Sequence, residues 1–220
     1  MELTQEIIDR FMKVDPAQVG HYVKSGYMSP KIKPIYKAAK IVGPAYTVRI
    51  PGKDSTALYY AMKRAPKGSV IVIDRAGDDL YACTGEIVAT VAKRLGLAGI
   101  VIDGPATDSI AIENMQFPVF CDGLSPVTTN LLGISGEYDV TVQCGGAVVN
   151  PGDIIFGDAD GVIVIPPDNY EELLEKAEEA TRAEFKTKKL IEETGFVSTN
   201  VDRLFETDVL AIIAELKKFD

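Results

Sequence analysis

A chain of 220 residues with 46% hydrophobic, 25% charged and 8% aromatic residues has a globular composition and the length for one compact domain with appendages, which excludes two large independent domains. Its formal charge of −9 and pI near 4.8 argue against a nucleic-acid partner held by its phosphates, which needs a Lys/Arg surplus on one face. The widely spaced Cys83, Cys121 and Cys144 fit neither a disulfide framework nor a zinc pattern, the N-terminus MELTQEIIDRFMKV is acidic where a signal peptide is basic, and no segment reaches the roughly 20 apolar residues of a membrane span, so a cytoplasmic protein with no membrane partner is expected.

In chain order, Leu3, Ile7, Ile8, Phe11 and Met12 recur at helical spacing, and Pro16 stops that helix shortly afterwards. Residues 16–36 carry Gly20, Gly26, Pro30 and Pro34 and read as irregular, with a short helix around Val19–Lys24. AYTVRI is a strand, and Ser55 or Asp54 can cap a following helix that ends at Pro66 and Gly68. SVIVID, CTGEIVATVAKRLG and AGIVIDG then form strand 69–74, helix 85–95 with Thr84 as N-cap, and strand 98–103, a β-α-β unit expected to be parallel. PVFC adds a short strand. Beyond residue 135 the pattern is mostly β, with a hairpin whose turn is Gly157-Asp158-Ala159-Asp160-Gly161. A long charged helix over 168–193, closed by Thr194-Gly195, and an amphipathic helix from about Asp202 to Lys218 complete the chain.

The phosphate-binding, dinucleotide, zinc-protease and serine-hydrolase motifs are all missing. His21, the single histidine, has no nearby Cys or acidic pair and reads as a surface polar residue. The cysteines read as small core residues, although Cys83 beside a helix start could have a lowered pKa. What remains is carboxylate chemistry. Asp74 and Asp103 end adjacent strands, Asp108 follows in the loop GPATD, and Glu86 stands in the first turn of the intervening helix. In parallel sheets the functional crevice lies at those strand ends. The free N–H groups near Thr84–Val88 would face it and favour a substrate carboxylate. An oxygen-liganded Mg²⁺ or Mn²⁺ would reconcile acidic side chains with an acidic substrate. Spacing leaves the alternative open that Glu86 caps its helix and Asp108 opens the next. Asp153, Asp158 and Asp160 are assigned to hairpin turns, because their spacing does not reproduce a calcium loop.

GEIVATVAKRLGLAGIVIDGPATD is similar to the signature region of the RraA-like family, which includes divalent-metal-dependent 4-hydroxy-4-methyl-2-oxoglutarate aldolases. AYTVRIPGKD, GSVIVID, GGAVVNPGDIIFGDADGVIVIP and the charged helix stand in family order, so the resemblance covers about residues 40–195. It implies an α/β fold, a swivelling β/β/α-type domain with a central mixed sheet, flanking helices and a C-terminal helical extension. The expected organisation is a single domain over 1–220, with its core at about 40–166, an N-terminal helical segment over 1–39 and C-terminal helices over 168–220. It also implies a homo-oligomer, trimer or hexamer, with sites between protomers.

Members resemble one another in an acidic residue, twenty residues, then Arg-Asp, often followed by another acidic residue. Here Glu86 and Asp108 match, but Thr107 stands at the Arg position and Ala111 at the later acidic one. The resemblance implies that Asp108 binds Mg²⁺ (or Mn²⁺) directly and Glu86 through water, with Glu184 of a neighbouring protomer contributing through water. Cys83, Thr84, Gly85, Glu86, Ile87, Val88 and Thr107 would meet a small anionic 2-oxo acid, with the metal as electron sink for retro-aldol cleavage or oxaloacetate-type decarboxylation through a pyruvate enolate. Arg75, directly after strand 69–74, is a candidate to replace the missing guanidinium; its bland alternative is a surface arginine paired with Asp78 or Asp79. The family also contains regulators that bind a ribonuclease, so a non-catalytic binding protein is the second functional class.

Overall fold

The structure, a computed structural model, describes residues 3–194. The chain divides after Glu178 into two compact units, and the helix expected over 202–218 and the Gly195 stop lie outside the described residues. The first unit opens with α1 (Gln5–Phe11), whose N-terminus is capped by the Thr4 hydroxyl accepting from the Ile7 N–H. The next helix, α2 (Pro16–Gly20), begins three residues earlier than expected. Pro16 starts this helix, because its fixed φ and missing N–H suit the first helical turn.

After the two-residue β1 (Lys33–Pro34), β2 runs over Ile41–Arg49, longer than the AYTVRI segment. Its first part, Ile41 to Pro44, pairs antiparallel with β9 (Ile154–Asp158), and Ala45 to Arg49 pairs parallel with β3 (Val70–Asp74). Between β2 and β3 lies α3 (Thr56–Arg64). Then come α4 (Glu86–Arg94), β4 (Gly99–Asp103), α5 (Ser109–Met115) and β5 (Val119–Cys121), and the predicted parallel β-α-β unit is present as β3-α4-β4. Short strands β6 (Glu137–Tyr138), β7 (Val142–Cys144) and β8 (Ala147–Val149) precede the hairpin of β9 with β10 (Gly161–Ile165).

The sheet order is β1-β5-β4-β3-β2-β9-β10, with β6 also on β2, so parallel central strands are flanked by antiparallel ones and the sheet is mixed, as the resemblance implies. Its two ends approach each other: Lys33 on β1 donates through Nζ to the carbonyl of Asp160, in the β9-β10 turn, at 2.7 Å. Period-two alternation divides the core. Ile71, Ile73, Ile100 and Ile102 face α3, α4 and α5, while Val70, Val72 and Val101 face Ile32, Val142, Cys144 and Val149 on the opposite side. A third cluster seats Phe11, Val19, Leu173 and Leu174 on Phe156 and Ile165. Here α6 (Tyr170–Thr194) begins, and Arg10 of α1 forks onto the Glu178 carboxylate at 2.8 and 2.9 Å.

This arrangement places the starts of α4 and α5 side by side at the carboxyl ends of β3 and β4. Among the described residues no helix is long and apolar enough to cross a membrane.

Candidate active site

The site is built where two loops meet. The chain leaves β3, passes through 75–84 and enters α4; it leaves β4, passes through 104–107 and enters α5 at Asp108. The Thr107 N–H donates to the Thr84 carbonyl at 2.9 Å, which ties the loops together one residue before Asp108 and two before Glu86. Asp108 has φ 56° and ψ 38°, the left-handed region that Asp tolerates better than most residues. That backbone turns its carboxylate away from its own helix. Oδ2 accepts from the Glu86 N–H at 2.9 Å, at the start of α4, and Oδ1 lies 3.4 Å from the Thr107 hydroxyl. Glu86 and Asp108, twenty-two residues apart, are thus brought together, and both are solvent-exposed.

Gly85, not Thr84, is the N-cap of α4. Thr84 is fully buried, so the capping expected of it falls to the Asp108 carboxylate, a bond between loops that local sequence does not encode. The first N–H to return to a helical carbonyl is that of Ala89, to Gly85 at 3.0 Å. The N–H groups of Ile87 and Val88 therefore precede the intrahelical ladder. Beside this helix end is a pocket of about 250 Å³ lined by Cys83, Thr84, Gly85, Ile87, Val88, Thr107 and Asp108. The seven come from the set that the sequence singled out; Glu86, also expected to meet the substrate, is not among the lining residues, its side chain being exposed at the helix start.

The far wall consists of residues that sequence reasoning did not single out: Tyr59 of α3 and the segment Thr128, Thr129, Asn130 and Leu131. This segment is laced to the α4 approach, with the Ala82 N–H donating to Val127 O at 2.8 Å and the Thr129 N–H to Ala82 O at 3.0 Å. Asp54 secures its continuation. Buried at the head of α3, its carboxylate accepts from the N–H groups of Thr56, Leu132, Ile134 and Ser135 and from the Thr56 hydroxyl at 2.6 Å. The Thr56 hydroxyl bond, and then those N–H groups, hold its carboxyl far below the usual carboxylate range against the opposing effect of burial. The sequence marked Asp54 only as a possible helix cap. Its hold on residues nearly eighty positions away could not be read locally.

Arg75 is neither a surface arginine nor a lining residue of this pocket. It is fully buried, donating from Nη2 to Gly52 O at 2.7 Å and from Nη1 to Ile50 O, with Asp78 Oδ2 at 3.5 Å from Nη2. Its aliphatic part packs on Gly104, where an added Cβ would stand 2.7 Å from Arg75 Cγ. Arg75→Ala would leave two carbonyls and Asp78 without their cation, and is expected to cost about 3 kcal/mol of stability, measurable by urea unfolding. A loss of Mg²⁺-dependent oxaloacetate decarboxylation with unchanged stability would instead give Arg75 the catalytic role first considered for it.

Asp74 and Asp103 pair in register at the strand ends but do not line the pocket. Asp74 is occupied by Arg49 Nε at 3.0 Å and by the Ala76 N–H at 2.7 Å. Desolvation raises the Asp103 carboxyl, with Asp74 and Asp122 adding to the rise and a Gly145 N–H opposing it. A raised folded-state carboxyl favours folding below its unfolded value of about 3.9 and loses that contribution as pH climbs through the folded value. Asp103→Asn is therefore expected to raise the thermal midpoint at pH 7 relative to the parent, with the difference closing below about pH 4.

Burial pushes the Cys83 thiol up, contrary to the lowering that a helix start suggested, and pushes Cys121 to about 11. Glu184 belongs to the second compact unit, in the distal part of α6, where it pairs with Lys188 at 2.6 Å.

Comparison with known proteins agrees with the signature. The family model described as RraA-like, Aldolase/RraA, matches residues 4–164. A protein of Halalkalibacterium halodurans named "Putative 4-hydroxy-4-methyl-2-oxoglutarate aldolase" is 43% identical over 150 residues, covering 68% of this chain and 71% of that one. Protein DlpA of Legionella pneumophila is 37% identical over 163 residues, 70% of this chain but 26% of that protein. The crystal structure of Streptomyces coelicolor RraAS2, described as an unusual member of the RNase ES inhibitor RraA protein family, superposes with a TM-score of 0.74 at 26% identity, covering 86% of this chain and 98% of that one. With the family model spanning most of its length and the Asp108 carboxylate bonded to the backbone of Glu86 at one helix end, this chain belongs to the RraA-like family.

Proposed function

We propose that the pocket at the start of α4 is the active site of a divalent-metal-dependent lyase that cleaves or decarboxylates a small 2-oxo acid. The carrying observation is the left-handed Asp108, whose carboxylate is held against a helix N-terminus at the mouth of a pocket. The aldolase name of the Halalkalibacterium halodurans relative supports the same reading.

The donor set suits a hard cation. Asp108 and Glu86 offer exposed oxygen donors, and among the described residues no group of three His, Cys, Asp or Glu side chains forms a closed cage. Mg²⁺ is commonly held by one or two carboxylates, with water and substrate oxygens completing its shell. Asp108 and Glu86 would hold it, with Glu184 of a neighbouring protomer as a further candidate. When bound, the ion would supply Lewis-acid polarisation of the 2-oxo group.

The chain's own groups account for the rest. The N–H groups of Ile87 and Val88, with the helix dipole behind them, receive the substrate carboxylate. The Glu86 N–H bond fixes the direction of the Asp108 carboxylate. In retro-aldol cleavage the C3–C4 bond breaks, the proton on O4 passes to a base, for which Glu86 at the edge of the pocket is the candidate carboxylate, C4 becomes a carbonyl carbon, and a proton delivered to C3 completes the methyl group of pyruvate. Apolar Val88, buried in the lining, limits water on that side of the pocket. Ile87, Ile110 and Ile134, 68%, 75% and 78% exposed, stand on the elements around the site and support a homo-oligomer that covers them.

Pyruvate release from a panel of 4-hydroxy-2-oxo acids and from oxaloacetate, with Mg²⁺ and with chelator, tests this reading. Turnover that requires the metal is expected. No turnover with any divalent ion, together with binding to a ribonuclease, would establish the regulatory reading instead.

A further inference from the structure

We propose that the pocket selects the tail of its substrate, taking a 2-oxo acid whose far end is uncharged and hydroxylated, and that Thr107 is the specificity-determining residue. The inference rests on the lyase reading for the reaction, and on the lining alone for the preference.

The pocket is small, about 250 Å³, below the roughly 300–1,000 Å³ of sites for drug-sized ligands. Its polar lining residues are mostly hydroxyl-bearing, Ser55, Tyr59, Thr107, Thr128 and Thr129 with the fully buried Thr84 behind them, beside Asn130 and Asp108. Several are loosely engaged within the protein. Thr107 Oγ1 is 3.4 Å from Asp108 Oδ1, Thr129 Oγ1 is 3.4 Å from Ala82 O, and Ser55 Oγ is 3.3 Å from Asn130 O. Thr84, fully buried, has the Cys83 thiol 3.9 Å from its hydroxyl, a weak partner. Hydroxyls both donate and accept, and the ligand that matches such a wall does the same. A polyol tail satisfies it; a carboxylate can only accept.

Charge points the same way. Among the described lining residues the one charged side chain is Asp108, an anion. No Lys or Arg among the described residues lines the pocket, so apart from the metal that Asp108 would hold, a second carboxylate on the substrate tail would be desolvated with no cation to compensate it. Arg75, the neighbouring guanidinium, is committed to the carbonyls of Ile50 and Gly52. At position 107 the chain places a short side chain whose methyl packs on the α4 N-cap: a Cβ at Gly85 would stand 2.7 Å from Thr107 Cγ2. Its hydroxyl is 3.4 Å from Asp108 Oδ1, and Thr107 is a lining residue of the pocket. The fitting reaction is cleavage of a 4-hydroxy-2-oxo acid bearing further hydroxyls to pyruvate and a hydroxyaldehyde, as 2-oxo-4,5-dihydroxypentanoate yields pyruvate and glycolaldehyde, with the bond and proton changes given above.

Threonate and tartrate test the preference, because they differ in a terminal CH₂OH against a terminal carboxylate on otherwise matching four-carbon acids. Calorimetric titration of the full chain at fixed free Mg²⁺ should show threonate binding at least about tenfold tighter than tartrate. Thr107→Arg should shift that ratio toward tartrate by about tenfold or more. Equal affinities, tighter tartrate, or binding of neither by the parent protein would overturn the proposal whether or not the variant folds; so would an unchanged ratio in a folded Thr107→Arg. Pyruvate release separates the two claims. Threonate preference without turnover of any 2-oxo acid leaves the selectivity standing and removes the lyase, whereas equal turnover of hydroxylated and dicarboxylic substrates does the reverse.

Discussion

Asp108→Ala is expected to leave a folded protein that releases pyruvate at least about a hundredfold more slowly than the parent. A single electrostatic contact in an active site is worth about 3 kcal/mol of barrier, or roughly a hundredfold in rate, and Asp108 is assigned the direct contact. The stability cost is smaller. Asp108 is exposed, and its structural work is one hydrogen bond at the start of α4, a capping interaction of about 1 kcal/mol. Asp108→Asn sharpens the comparison, because the amide oxygen can still accept from the Glu86 N–H and Asn tolerates the left-handed backbone, while the negative charge is gone. Lost turnover in both variants, with the unfolding midpoint slightly lowered in Asp108→Ala and retained in Asp108→Asn, would assign the carboxylate a chemical role. Lost turnover in the Ala variant alone would make it a structural cap.

Gly85→Ala is the second large effect. A methyl group there would overlap Asp108 Oδ2 and stand 2.7 Å from Thr107 Cγ2, closer than side-chain carbons pack. Either the Asp108 carboxylate and the Thr107 side chain must rotate away, or the two loops must separate. Overpacking of this kind costs about 1–3 kcal/mol, and a displaced Asp108 should lower turnover by about a hundredfold. Gly20→Ala is the control, since its Cβ would meet only Ile163 Cδ1, at an ordinary 3.8 Å, and is expected to preserve activity. Parallel turnover and thermal-unfolding measurements decide between them. Full activity in Gly85→Ala would show that close approach of the two loops is not needed.

Much of the scaffold was legible because its signals are periodic and local. The runs VIVID and GIVID alternate faces within a doubly buried sheet, and α4 carries its apolar residues at helical spacing between a glycine start and Gly96. The location of the site followed from Glu86 and Asp108 lying next to consecutive strand ends. What could not be read was set by pairings distant in sequence. β2 extends back through Pro44, a residue that argues against a strand, because its partner there is β9, more than a hundred residues later. Arginine is rarely buried without partners; the Asp78 partner of Arg75 was among those the sequence offered, but the carbonyls of Ile50 and Gly52 that allow its burial leave no pattern in sequence. Thr84 looked like the cap because caps are usually local; the carboxylate that performs the role comes from the next loop. The wall at 128–131 was missed for the same reason, although its Thr-Thr-Asn cluster after Pro126 was a visible polar break.

A crystal structure of the full chain soaked with Mg²⁺ and oxalate tests the metal site most directly. The predicted result is an ion about 2.1 Å from an Asp108 carboxylate oxygen, with oxalate on its remaining positions and facing the N–H groups of Ile87 and Val88. An ion bound elsewhere, with Asp108 still engaged by the Glu86 N–H alone and the pocket holding neither ion nor oxalate, would contradict the assignment of this site to metal-dependent 2-oxo acid chemistry.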